Sequence, residues 1–296
     1  MLKATETHYS NRSPISVTTN YLSETLPGPC IIEVNEIRKT RCSLCTITAT
    51  MKQHSSLTTR FKRKDNQQSL TIPPPPSSVD KYEHNDYNVK CYAIIILGSE
   101  FNKKYNQQQG QQSSIPTIIH PNACTAPSIE MMEPVQIVYD NEITLEILMD
   151  LSRKKEKNSA EAHHAISFLD GRPIDSLALS FFAAVFRHPL NTLTGRQDLL
   201  GNETTWKPTF QMDVQFKNPI PPNTRYVLAT IIAPHLIEGR FDTDGWIFSP
   251  DGTLLATAKH HGLVIPRSQR QGITAEKPIT WDIKKPSSSP RLHSKL

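Results

Sequence analysis

"GRPIDSLALSFFAAVFRHP", Gly171 to Pro189, is the stretch on which the fold turns. From Ser176 to Phe186 it carries no charge, and its small and apolar residues fall on every face of a helix. A helix without a polar face has to be covered all round. Asp175 is placed to cap its start by accepting an orphan N–H, and Pro189 helps to end it. Downstream, "TFQMDVQFK" alternates, with Phe210, Met212, Val214 and Phe216 on one side and Gln211, Asp213 and Gln215 on the other. Period two marks a strand with one face buried. "NPIPPN" turns the chain, and three more strands are expected at about 225–232, 238–248 and 253–265. "SPDG", Ser249 to Gly252, is a β-turn between the last two. One apolar helix followed by a four-strand antiparallel meander is an α+β arrangement in which a strongly curved sheet wraps the helix.

The front of the chain is β-rich but interrupted. Residues 1–15 are polar and read as a disordered N-terminus. "ISVTTNYL", "CIIEVNEI", "SLCTITATMK" and "VKCYAIIILGS" carry strand patterns, so 16–99 reads as a second, partial β unit. Between them, 54–88 is polar, charged and holds four consecutive prolines, the composition of a disordered insertion. Gln-rich "NKKYNQQQGQQSS" opens a linker at 100–135, the ordered C-terminal unit runs over 136–266, and 267–296 is a flexible tail.

Composition narrows the function classes. A net charge of +5, scattered along the chain, does not call for nucleic acid as a partner. The runs "RFKRK" (Arg60 to Lys64) and "RKKEK" (Arg153 to Lys157) read as solvated loops. No apolar run is long enough for a membrane span, and the first residues lack the apolar core of a signal peptide. Five cysteines fit a reducing compartment better than a disulfide framework. Cys42 and Cys45 form a CxxC, but positions three apart on a strand diverge, so neither a metal nor a redox site is expected there. No cofactor is called for.

The chain resembles the acyl-CoA thioesterases with two tandem hotdog repeats, the type-II thioesterases and their thioesterase-like relatives. The resemblance rests on "DGRPIDSLALSFFAAVF", "PTFQMDVQFKNPIPPN" and "GWIFSPDGTLLATAKHHGLVIP" in the second repeat, and on "NYLSETLPGPCIIEVNEIRKTRCSLCTITATMKQ" and "VKCYAIIILGS" in the first. It implies a double hotdog, and an acyl-CoA substrate hydrolysed to fatty acid and CoA; this sequence departs from the family in beginning its first repeat at the second strand, so that repeat is expected to lack its helix. The family's catalytic aspartate falls at Ala184, its water-holding glutamine at His260, and its threonine or serine at Thr209. Ala184, Phe210 and Gly262 are expected to line the substrate.

Thioester hydrolysis needs a held water, a base for its proton and donors for the oxyanion. With alanine at 184, His260 is the replacement base, since imidazole titrates near neutral pH. The expected site is a water between the Thr209 hydroxyl and the His260 imidazole, with a backbone N–H for the oxyanion. His261 points to the other strand face. Asp175 reads as a cap, His163 and His164 as exposed residues ahead of the first strand, and "DTDG" (Asp242 to Gly245) as strand and not calcium loop. The alternative is a non-catalytic acyl-CoA-binding or scaffold protein that has lost its aspartate.

The chain ends in Ser294, Lys295 and Leu296. A carboxyl-terminal Ser-Lys-Leu is the address read by the peroxisomal import receptor, which becomes an expected partner. Fatty acid metabolism in the peroxisome is the setting this implies, with the cytoplasm as the alternative. Assembly with further copies of the chain stays open.

Overall fold

The computed structural model describes residues 1–9, 12–25, 29–39, 44–55, 86–98, 160–168, 170–184, 189–192 and 205–266, together with the backbone course of 135–140 and 143–150. The elements run α1 (Leu2–His8), β1 (Ser13–Tyr21), β2 (Ile31–Lys39), β3 (Cys45–His54), β4 (Tyr87–Gly98), β5 (Val135–Asp140), β6 (Ile143–Asp150), β7 (Glu161–Phe168), α2 (Ser176–Phe182), a 3-10 turn (Pro189–Thr192), β8 (Thr205–Trp206), β9 (Thr209–Phe216), β10 (Tyr226–Ile237), β11 (Arg240–Phe248), β12 (Leu254–Leu263) and β13 (Ile265–Pro266).

Eleven of these strands form one sheet in the order β2-β3-β4-β1-β9-β12-β11-β10-β7-β6-β5, and β8 pairs with β13 beside it. Every pairing is antiparallel. The order β1-β4-β3-β2 recurs as β9-β12-β11-β10, and the two groups meet where β1 pairs with β9, from Ser16↔Gln215 to Asn20↔Gln211. The core does not stop at that seam. Val17, Ala49, Ala93 and Ile95 from one group share a cluster with Val214, Phe216, Ile247 and Ala256 from the other.

Burial alternates along the strands, as it does in a sheet with one face covered. On β12, Ala256, Ala258, His260 and Gly262 are buried, while Thr257, Lys259 and His261 are not. On β11, Phe241, Thr243, Gly245 and Ile247 are buried, with Asp242, Asp244 and Trp246 facing the other way. The buried set is the inner face, on which α2 lies. Leu179 and Phe182 of α2 are fully buried there, in the same cluster as Ala256 and Ala258. Small residues beneath a helix let it approach closely.

Four expectations are corrected. The expected disorder of 1–15 does not hold for the residues described there, 1–9 and 12–15: they hold α1 and the start of β1, with Leu2 in the core and the Thr5 hydroxyl donating to Leu2 O at 2.7 Å. The front group therefore does not lack a helix, and α1 touches α2 where Ser176 Oγ donates to Glu6 Oε1 at 2.8 Å. The uncharged helix does not run to Phe186 as a fully covered rod. It ends at Phe182, the Ala184 N–H bonds Phe181 O in a tightened last turn, and Ser176, Leu177, Ser180 and Phe181 are only half-buried. A helix lying on a sheet has one face against strands, so an apolar sequence all round does not secure burial all round. Asp175 does cap it, accepting from Ala178 N–H at 2.7 Å. The four strands after α2 are not a simple meander either: β10, β11 and β12 are, but β9 pairs with β12 and not with β10. The turn at 249–252 forms as read, with Gly252 N–H bonding Ser249 O at 2.9 Å. Most of the expected insertion at 54–88, the linker at 100–135 and the tail at 267–296 lie outside the described residues.

Candidate active site

Register places a row of side chains across the seam on the inner face: Thr19 of β1 opposite Met212 of β9, Met212 opposite His260 of β12, and His260 opposite Thr243 of β11. All four are buried. The row lies toward the end of α2, and His260 reaches it. His260 Nε2 lies 2.9 Å from Ala183 O. A carbonyl can only accept, so Nε2 carries the proton and Nδ1 holds the lone pair in the neutral ring. Burial pushes the imidazole below its ordinary value, helped by neighbouring His261 and opposed by the bond to Ala183. This is an imidazole kept neutral, with one fixed tautomer.

The other expected residues divide. Thr209 opens β9, half-buried, directly opposite Gly262, which is two residues along β12 from His260. Thr209 and His260 thus share the inner face. Between them Gly262 is not open floor. A methyl built there would come within 2.2 Å of Phe241 Cζ and 2.8 Å of Pro208 O, so the Phe241 ring occupies the space above it. Ala184 is exposed, one residue past the carbonyl that His260 holds.

Phe210 is on the wrong side for the expected role. The ladder shifts register between His261 and Gly262, a bulge that places Phe210 outside the alternation of Met212, Val214 and Phe216. Phe210 is exposed and stacks on His261, with ring centroids 6.3 Å apart. His261 faces the outer side as expected, its Nδ1 2.6 Å from Asp242 Oδ1.

His163 corrects a further expectation. It lies within β7, buried, with Nδ1 3.0 Å from Thr230 Oγ1 and Nε2 2.8 Å from Glu161 Oε1. Thr230 is its direct cross-strand partner, which alternation within β7 could not reveal. "DTDG" lies in β11. Cys45 is buried in β3, and Cys42 lies outside the described residues. Among the described residues no group of three or more histidine, cysteine, aspartate or glutamate side chains could hold a metal, and no helix is long and apolar enough to cross a membrane.

Tyr21, beside the row, and Thr243, within it, were not expected as site residues. Tyr21 of β1 brings a phenol from the front group to 4.0 Å from Met212 Sδ, and desolvation together with the Cys91 thiol pushes it up to about 12, so it stays a donor. Thr243 is the second. Its signal was present: in "RFDTDGWIF" it is the hydroxyl on the apolar side of the alternation.

The comparisons agree with this architecture. The pattern of the acyl-CoA thioesterase C-terminal domain matches residues 139–264, and that of the acyl-CoA thioesterase N-terminal domain matches 1–62; together they take in more than half of the chain. No curated protein matches the chain. Among solved structures, a conserved protein of unknown function with hot dog fold from Alicyclobacillus acidocaldarius is 18% identical, with a TM-score of 0.59 over 90% of this chain and 84% of that one. An acyl-CoA thioesterase II from Mycobacterium marinum is 16% identical, with a TM-score of 0.55 over 90% of this chain and 86% of its own. At these identities the likeness shows the fold: an antiparallel hotdog sheet with few helices.

Proposed function

The chain belongs to the acyl-CoA thioesterase family and is a thioester hydrolase; from that premise we propose that its substrates are fatty acyl-CoAs, split to free fatty acid and CoA. We read the repeated strand order as two hotdog repeats, one on each side of the β1–β9 seam. The observation that carries the chemistry is His260: buried, neutral, fixed in one tautomer and held against the end of α2.

In this reading Nδ1 of His260 takes a proton from water as the water oxygen bonds to the thioester carbonyl carbon. The tetrahedral intermediate then collapses, the C–S bond breaks, and the imidazolium returns the proton to the CoA sulfur. The Thr209 hydroxyl and a backbone N–H supply the hydrogen bonds that orient water and oxyanion. Purified protein given a panel of acyl-CoAs of different chain length, with thiol release followed, tests the reading. Release with at least one chain length is expected.

Ala184 favours a second reading, an acyl-CoA-binding scaffold without turnover, because no carboxylate stands where the family's base would be. Tight binding of acyl-CoA with no thiol release would select it. We further propose that Ser294, Lys295 and Leu296 direct the chain to the peroxisome through the import receptor, placing the hydrolysis in peroxisomal fatty acid metabolism. Deleting Leu296 should leave the protein in the cytosol; an unchanged distribution rules the address out.

A further inference from the structure

Tyr21 reaches the row from the other half of the sheet. It is the last residue of β1 and pairs with buried Cys91 of β4. Its hydroxyl meets Met212 Sδ at 4.0 Å. Met212 is the direct cross-strand partner of His260. β9, which carries Met212, lies between β1 and β12, so the phenol and the imidazole come to the same side chain from opposite sides. Asn20 stands opposite Gln211 on the antiparallel β1–β9 ladder, which sets Tyr21 toward the Thr209 end of β9. Two hydroxyls, one from each half, thus stand at the same end of the seam.

The Tyr21 O–H is a donor without a good acceptor. A thioether sulfur accepts only weakly, and 4.0 Å is a loose approach. Among the described residues the hydroxyl makes no other hydrogen bond. Desolvation, with the Cys91 thiol, raises the phenol to about 12, so it keeps its hydrogen throughout the neutral range. A desolvated phenol normally finds a partner. The residue is also 38% exposed, so a ligand reaches it without the sheet opening. β1 and β12 are two ladder spacings apart, about 10 Å. A hydrogen-bonded water, a carbonyl group and a donor set end to end take up about that length. A thioester lying over Met212 therefore brings its carbonyl oxygen to the phenol.

We propose that the Tyr21 hydroxyl donates to the carbonyl oxygen of the bound thioester and stabilises the oxyanion formed there, so that the front half of the sheet supplies a catalytic residue to the site of the back half. The inference rests on the thioester-hydrolase reading, but not on which group takes the proton from water. As the water oxygen bonds to the carbonyl carbon, the C=O π pair becomes a lone pair on the oxygen, and the hydrogen bond from Tyr21 strengthens toward it. When the C–S bond breaks, that pair re-forms the C=O bond, and the CoA sulfur takes the proton that water gave up. Tyr21 keeps its own proton throughout. Thr209 is left to orient the water.

Tyr21→Phe removes one oxygen and keeps the ring. Its kcat should fall about 10²–10³-fold with KM little changed, the usual loss of one oxyanion donor. The second readout is the contact itself. The probes are acyl-CoA analogues with a methylene in place of the thioester sulfur, ketones that cannot be hydrolysed, 13C-labelled at the carbonyl and made in the chain lengths of the thiol-release panel. The carbonyl stretch of the bound ketone should lie lower in the parent than in Tyr21→Phe, a difference that a merely structural tyrosine would not produce. Unchanged turnover in Tyr21→Phe overturns the catalytic role; an unmoved carbonyl band, or no binding at any chain length, overturns the contact. If the parent releases no thiol from any acyl-CoA, the hydrolase reading falls by that result alone, and the carbonyl band still decides whether Tyr21 holds the thioester oxygen. Should Tyr21→Phe fail to fold, a ring-fluorinated tyrosine at 21, a stronger donor, should lower the band below that of the parent, and an unmoved band overturns the proposal.

Discussion

His260 of β12 and Ala183 at the end of α2 are joined by one hydrogen bond, from Nε2–H to the carbonyl oxygen at 2.9 Å. It ties the helix end to the sheet and settles which ring nitrogen can act as a base.

The bond and the burial have a pH consequence. The His260 imidazole is held below its ordinary value, first by desolvation. An unfolded histidine takes up a proton near its ordinary value of about 6.5, while the folded one resists to lower pH. In that window the unfolded chain binds more protons, so stability falls as pH drops and is complete above the unfolded value. The same displacement should put the acid limb of the pH–rate profile below the ordinary histidine range. Denaturant melts and thiol-release rates from about pH 5 to 8 check both. A limb at or above the ordinary value would contradict the assignment.

His260→Gln keeps a donor for Ala183 O but no base. It should fold like the parent and lose about 10²–10⁴-fold in turnover, the usual worth of a general base. Thr209→Ala should cost less. A glutamine variant that turns over normally would show that His260 is not the base.

Ala184 follows the carbonyl that His260 holds, so Ala184→Asp sets a carboxylate one peptide unit away. A nearby negative charge favours the imidazolium. The acid limb should therefore move to higher pH, and turnover should rise. If turnover appears only in this variant, the parent chain is the scaffold of the second reading.

Gly262→Ala tests the packing above the site. Its methyl would meet Phe241 Cζ at 2.2 Å and a backbone oxygen at 2.8 Å. Overpacking of this kind costs about 1–3 kcal/mol, readable in a denaturant melt. Combining it with Phe241→Leu, which clears the ring, should return part of the loss. A single variant as stable as the parent would mean that the ring moves aside without cost.

A short local period made most elements legible. The alternation in 209–216 is a strand signal carried by neighbouring residues; a strand formed there with Met212, Val214 and Phe216 on the buried face, and strands also formed close to the ranges expected at 238–248 and 253–265. Asp175 as a cap and Ser249–Gly252 as a turn were legible for the same reason: each involves atoms at most three residues apart. Phe210 escaped because one extra residue in a ladder reverses a face without altering the alternation of the letters. α1 escaped because "LKATETH" is polar and short, and its place is secured by Leu2 in the core and by Glu6 against Ser176.

What the sequence determined by itself was therefore a partial inventory: the strands of the front group and those from 209 onward, but not β5, β6 or β7, and an apolar face for β9 that holds from Met212 to Phe216. Tertiary structure alone decided the partners. β9 skips β10 to lie between β12 and β1, and that choice brings residues of both halves into the row Thr19, Met212, His260, Thr243. The physical reason is that a strand's alternation says which face is buried, whereas its neighbour and register are set by contacts between residues far apart in the chain.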